Sequence, residues 1–155
     1  MRYFKEIITN HVLIATVTAW AIAQVIKVLI YLLVDKRFDI KRMIGDGGMP
    51  SGHTATVMAA TVMCGLLSGF GSPLFALAGI FAIVVMKDAV GVRLETTKHA
   101  ATIKQLANEV NSDLEEDKRI DTDNIKRFVG HTPAEVGVGA LLGIAVAIIY
   151  YVIVF

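Results

Sequence analysis

Residues 11–34 read HVLIATVTAWAIAQVIKVLIYLLV, an apolar run interrupted only by Gln24 and Lys27. As a helix this run is about 36 Å long, enough to cross a hydrocarbon core of about 30 Å. It is too long for the apolar core of a signal peptide and is not followed by a small-residue cleavage pattern, so it reads as a retained membrane span. Composition agrees: 55% of the chain is hydrophobic and 19% charged, and the mean hydropathy is +0.62. A soluble domain of this size is normally more polar.

Working outward, three more stretches suit a membrane: 54–70, rich in Ala, Thr, Met and Gly; 73–87, PLFALAGIFAIVVMK; and 134–155, AEVGVGALLGIAVAIIYYVIVF. A Gly-Ser-Pro turn separates the second and third spans. The many small residues in these two spans suit helices packed closely on neighbours. The expected fold is all-α: a polytopic membrane helix bundle of about four transmembrane helices, forming one membrane domain over 1–155. Residues 88–130 form a polar helical excursion. Within it Val92, Thr96, Ala100, Ile103, Ala107 and Val110 recur at helical spacing, so span three is expected to continue as an amphipathic helix to about Asn111. A loop and a short helix over 122–129, ending at Gly130, complete the excursion.

Charge sets the orientation. Four crossings put the 35–53 loop and the excursion on one face, with nearly all the Lys and Arg, among them Lys36, Arg37, Lys41, Arg42, Arg93, Lys98, Lys126 and Arg127. Only Arg2 and Lys5 fall on the other face. The positive-inside rule therefore predicts cytoplasmic loops and both termini outside. The net charge of +1 gives no reason to expect a nucleic-acid partner. The single cysteine, Cys64, lies inside an apolar run and reads as packing.

The polar residues at the cytoplasmic ends of the spans are the candidates for chemistry. In GGMPSGHTA, residues 47–55, Ser51 suits an N-cap, and the N–H groups after it make a ready anion site beside His53. A loop-to-helix junction carrying an interfacial histidine reads equally well from this stretch alone. GHTPAEVG, residues 130–137, repeats the arrangement. Thr132, Pro133 and Glu135 fit a capping box with proline at N1, while His131 stands four residues before Glu135, where a carboxylate can set an imidazole's tautomer. In MKDAVGVR, residues 86–93, Arg93 offers a planar fork to a phosphate and Asp88 can orient Arg93 or a histidine; a plain juxtamembrane charge pair is the alternative. Lys27, with Gln24 one turn earlier, is either the wall of an anion site or the partner of a carboxylate. His11 and His99 read as interface or surface residues. The D121-T-D123-N run lacks the glycine of a calcium loop, with Lys126 in its place.

Together GGMPSGH, KDAVGVR and GHTPAEV, in that order, resemble the small divergent membrane branch of the type-2 phosphatidic acid phosphatase superfamily, which is related to vanadium haloperoxidases. The resemblance covers nearly the whole chain. It implies phosphoester hydrolysis with neither metal nor cofactor, in which the distal histidine, His131, attacks phosphorus and the PSGH histidine, His53, protonates the leaving alkoxide. Glu135 stands where the family has an orienting Asp. Ser51, Gly52 and basic residues would hold the phosphate oxygens. The superfamily's Lys-x6-Arg-Pro motif and its Ser-Arg pair are absent. Arg93 is the candidate to replace the missing arginine, and Lys27, Lys41 or Arg42 the missing lysine. The expected protein is a membrane lipid phosphate phosphatase of the bacterial cell membrane, acting at the inner leaflet on a phosphatidylglycerophosphate or phosphatidic acid type of substrate. A homodimer would enclose a headgroup more fully than one bundle. A non-catalytic headgroup binder or lipid translocator, or a small scaffold subunit, are the competing expectations.

Overall fold

The computed structural model describes residues 2–34, 48–115, 118–122 and 131–155, leaving out the side chains of Arg93 and Leu94. The expected basic residues Lys36, Arg37, Lys41, Arg42, Lys126 and Arg127, and nearly all of the expected 122–129 helix with Gly130, lie outside the described residues. Those described form helices and no strand: α1 Arg2–Ile8, α2 His11–Val34, α3 Gly52–Ser68, α4 Pro73–Val90, α5 Val92–Ser112 and α6 Pro133–Val154. Three helical stretches, within His11–Leu33, Pro73–Ser112 and Pro133–Val154, are long and apolar enough to cross a membrane, and Gly52–Ser68 is apolar but shorter. The all-α membrane bundle expected from the sequence is therefore present.

The short helix is the central one: α3 packs against α2, α4 and α6. Its 17 residues span only about 26 Å, but a helix covered on several sides by protein has little need to meet lipid along its length. Small residues allow that cover. Ala55, Ala59 and Met63 of α3 are fully buried, the last two packed with Ala15 and Ala19 of α2 and Val146 and Ala147 of α6. The Thr61 hydroxyl lies 2.8 Å from the Val57 carbonyl and 3.1 Å from that of Ala78 on α4, so a polar group inside the bundle is satisfied.

Interhelical contacts fix the directions. Gly139 and Gly143 of α6 meet Ser51 and Ala55 at the start of α3, one turn apart on both helices, so α3 and α6 run parallel. At the far end His11 Nδ1 lies 3.0 Å from the Tyr150 hydroxyl, so α2 runs against α6. The four-residue turn 69–72 reverses the chain between α3 and α4. Gly69 ends α3 at φ +88°, and Ser72 caps α4, its hydroxyl accepting from Phe75 N–H. The starts of α3 and α6 thus share one end of the bundle with the C-terminal half of α2 and the end of α4.

Two elements differ from expectation. α1 was not foreseen; it sets Tyr3, Phe4, Ile7 and Ile8 on one face, all exposed, and Asn10 caps α2 behind it by accepting from Val12 and Leu13 N–H. The extension of span three is a separate helix, because Gly91 departs from helical geometry at φ −92° and ψ −86°. Hydrogen bonding nevertheless runs through the break: Gly91 N–H donates to Lys87 O at 2.8 Å and Glu95 N–H to Gly91 O at 3.0 Å. The apolar face expected on α5 also divides. Ala100 and Ala107 are buried, whereas Val92, Thr96, Ile103 and Val110 are exposed.

Candidate functional site

At the shared end, Ser51 precedes α3 in extended conformation and its hydroxyl accepts from both the N–H and the hydroxyl of Thr54. Such a cap contributes about 1 kcal/mol. Ser51 and Pro50 are fully buried, which matters because non-helical backbone at membrane depth needs protein around it. The Ser51 N–H donates to the Glu135 carbonyl at 3.1 Å, joining the start of α3 to the first turn of α6. His53 lies in the first turn of α3 and is exposed.

The start of α6 is the capping box expected from Thr132-Pro133-Ala134-Glu135. Glu135 N–H donates to the Thr132 hydroxyl and Thr132 N–H to Glu135 Oε2. The same Oε2 lies 3.0 Å from His131 Nδ1. One carboxylate therefore caps the helix and orients the imidazole. With Nδ1–H donated to Glu135, Nε2 keeps its lone pair, the tautomer a nucleophile or base requires. His131 is 2% exposed, and its backbone N–H donates to the Ala89 carbonyl at 3.2 Å, using an acceptor from the last turn of α4 that has no partner within its own helix.

His53 and His131, 78 positions apart, sit with ring centroids 6.3 Å apart and planes inclined at 66°. Two parallel helix N-termini converge here, so their dipoles add to a positive potential that favours an anion. Lys27 adds a formal charge and is 3% exposed. Its place on α2 follows from its neighbours at helical spacing. A Cβ built on Gly52 would lie 3.6 Å from both Trp20 Cδ1 and Gln24 Nε2, and one on Gly48 would lie 2.8 Å from the Tyr31 hydroxyl. The Trp20–Gln24–Lys27–Tyr31 face of α2 therefore runs along the GMPSG approach to α3. Among the described atoms Gln24 Oε1 is buried without a hydrogen-bond partner.

Asp88 is half-buried in the last turn of α4, next to the Ala89 that holds His131. Arg93 belongs to the first turn of α5, so its backbone leaves the bundle just beyond Asp88. The structure thus gathers His53, His131, Glu135, Ser51 and Gly52 at one end, with Lys27 and Asp88 on the helices flanking it.

Sequence reasoning missed the residues that seat this site. A Cβ on Gly139 would lie 2.6 Å from the Ser51 carbonyl oxygen, and one on Gly143 would run into the Ala55 carbonyl. Only glycine lets α6 approach closely enough to bring His131 beside His53. The Gly139-x-x-x-Gly143 spacing was the available signal.

Residues 8–146 match the family model described as the divergent PAP2 family. Among curated proteins, an uncharacterized membrane protein of Bacillus subtilis (strain 168), YuiD, is 36% identical over 151 residues, covering 93% of this chain and 96% of the relative. No solved structure matches. With the family model covering most of the chain and this relative matching nearly end to end, the protein belongs to the divergent PAP2 family of membrane proteins.

Proposed function

We propose that this protein is a membrane lipid phosphate phosphatase that cleaves a phosphomonoester of the phosphatidylglycerophosphate or phosphatidic acid type through a phosphohistidine. The observation that carries this reading is the His131 Nδ1 to Glu135 Oε2 hydrogen bond at 3.0 Å with the His53 ring beside it. It supplies an oriented nucleophile and a second titratable group at a helix-terminal anion site.

In the first step His131 Nε2 attacks phosphorus, the bond to the lipid alkoxide breaks, and protonated His53 gives its proton to the leaving oxygen. Glu135 stabilises the positive charge that develops on His131. In the second step neutral His53 takes a proton from water, the hydroxide attacks phosphorus, and the P–N bond breaks to release inorganic phosphate and restore His131. The equatorial oxygens are held by the N–H groups that follow Ser51 at the start of α3, beginning with Gly52, since the Ser51 N–H itself donates to the Glu135 carbonyl, and by cations drawn from Lys27, Arg93, Lys41 and Arg42. Asp88 orients one of these groups. The site faces the cytoplasm, with a lipid of the inner leaflet as substrate.

Purified protein is expected to release phosphate from a lipid phosphomonoester with chelator present, and His131→Ala to abolish release. A wild type inert toward phosphatidic acid, phosphatidylglycerophosphate and related lipids, in both detergent and vesicles, would rule the reading out. The burial of Lys27 at 3% exposure favours one second reading, an internal anion site that binds or moves a phosphate headgroup without hydrolysis. Headgroup binding or lipid movement undiminished in His131→Ala, with no phosphate released by wild type, would select it.

A further inference from the structure

Gln24 places a primary amide in the middle of α2, ten residues before the helix ends at Val34 and so about 15 Å from that end along the axis. At that depth a polar group is costly unless it is hydrogen-bonded. Polar side chains that join spans bond across to a neighbouring helix, but Gln24 Oε1 is buried and accepts no hydrogen bond among the described atoms. Its Nε2 lies against the start of α3, 3.6 Å from where a Cβ on Gly52 would stand. The Gly52 N–H is one of the first-turn donors that have no acceptor within their own helix. Two donors cannot satisfy each other, so Nε2 and the Gly52 N–H suit one shared anionic acceptor.

We propose that Gln24 binds the phosphate of the lipid substrate with both atoms of its amide and thereby selects a phosphomonoester against the phosphodiester lipids around it. Nε2 donates to a phosphate oxygen, and Oε1 accepts from a P–OH. The inference rests on the anion site of the proposed function and adds to it a residue that reads the class of ester.

The selectivity follows from proton count. A phosphomonoester monoanion carries acceptor oxygens and one acidic proton, which it loses near about pH 6. A phosphodiester has the same single charge but no P–OH, so it would leave Oε1 buried without a donor. A site built to hydrogen-bond a hydroxyl rejects the analogue that lacks it, because the buried partner is then left unsatisfied. The helix-terminal N–H groups and the cations of the site cannot make this distinction, since they only donate and hold either anion. The terminal torsion of a glutamine is soft, so the amide can turn both of its atoms to a phosphate that enters.

Octylphosphonate, which has no ester to hydrolyse, keeps the P–OH of a monoester, and its monomethyl ester is an anion of equal charge without it. Trp20, the only tryptophan, stands beside Gly52 and reports occupancy in the full-length protein in detergent through its emission. At about pH 5, where the phosphonate holds one proton, wild type is expected to prefer octylphosphonate to the methyl ester by about 10- to 100-fold. Gln24→Met, of similar length and apolar, is expected to bring that preference toward one. It should leave the unfolding temperature unchanged or higher, because it removes a buried acceptor that has no donor. An unchanged preference in Gln24→Met, an earlier unfolding that marks the amide as a packing partner, or no binding of octylphosphonate to wild type would each overturn the proposal. Inorganic phosphate offers the same P–OH, and an affinity equal to that of octylphosphonate, corrected for partition into the micelle, would overturn the assignment to a lipid. Phosphate release by wild type with an unchanged preference in Gln24→Met would sink the role of the amide and leave the phosphatase standing; selective, Gln24-dependent binding without turnover would do the reverse.

Discussion

Glu135 holds two jobs on one oxygen, and substitution can separate them. Gln keeps an acceptor for Thr132 N–H but loses the charge facing His131 Nδ1. Glu135→Gln is therefore expected to change stability by less than about 1 kcal/mol while lowering the rate of phosphate release by about 10²–10⁴-fold. Glu135→Ala should lower both, with about 1–2 kcal/mol of stability lost. Thermal unfolding in detergent and turnover on one lipid phosphate, measured on the same preparations, check the pair. A Glu135→Gln protein that unfolds early but turns over normally once folded would reduce the carboxylate to a cap. This local geometry was legible in the sequence, since a histidine four residues before a glutamate at a helix start leaves little freedom. Whether the carboxylate would cap or orient was not legible, because that depends on where the ring turns, and the backbone that carries the ring is held by the distant Ala89 carbonyl.

Among elements, the seat of α6 on α3 depends on glycines whose consequences can be told apart. Gly143→Ala drives a methyl into the Ala55 carbonyl, a backbone atom that moves only with its helix, and is expected to destabilise by about 1–3 kcal/mol. On Gly137 a Cβ meets nothing within 4 Å, so Gly137→Ala should be neutral or stabilising by up to about 1 kcal/mol through helix propensity. Parallel denaturation of both variants in detergent reads the difference, and equal effects would remove the close approach as its cause. On α5, the hydrogen bond and charge of Lys98 hold the Glu95 carboxyl below the usual carboxylate range. A depressed acid contributes stability above its unfolded pKa and loses it as pH falls through the folded one. The Glu95–Lys98 pair should therefore support α5 at neutral pH and release it below about pH 4. The change is small because both side chains are exposed; helicity by circular dichroism, compared with Glu95→Gln, registers it. The four apolar elements were legible from length and composition. The Gly139–Ser51 and Gly143–Ala55 contacts were not, since one helix's pattern does not name the neighbour it touches. α1 escaped notice because a seven-residue amphipathic piece is too short to stand out beside a span.

For the whole molecule, the shared end of α3 and α6 was anticipated by counting crossings: two histidines at helix starts on one membrane face had to be neighbours or nearly so. Counting could not give the 6.3 Å between their rings, which depends on the glycine seat and on the Ser51 to Glu135 hydrogen bond. The orientation of that face is a separate matter with its own test. In intact cells, Lys5→Cys is expected to react with an impermeant maleimide, and Lys98→Cys only after permeabilisation. The reverse pattern would move the candidate site to the outer surface and change the leaflet of the proposed substrate with it.

The bond from Ser51 N–H to the Glu135 carbonyl also has a bearing on biogenesis. Chains are synthesised from the N-terminus, so α2, α3 and α4 leave the ribosome and insert while the second histidine is still untranslated. In that interval the start of α3 lacks its backbone acceptor, and His53 lacks its companion, the proposed nucleophile His131. In the proposed reaction, competence therefore arrives in a single event, the docking of the last helix. A chain stalled or clipped before α6 would sit in the bilayer without the nucleophile of the proposed reaction.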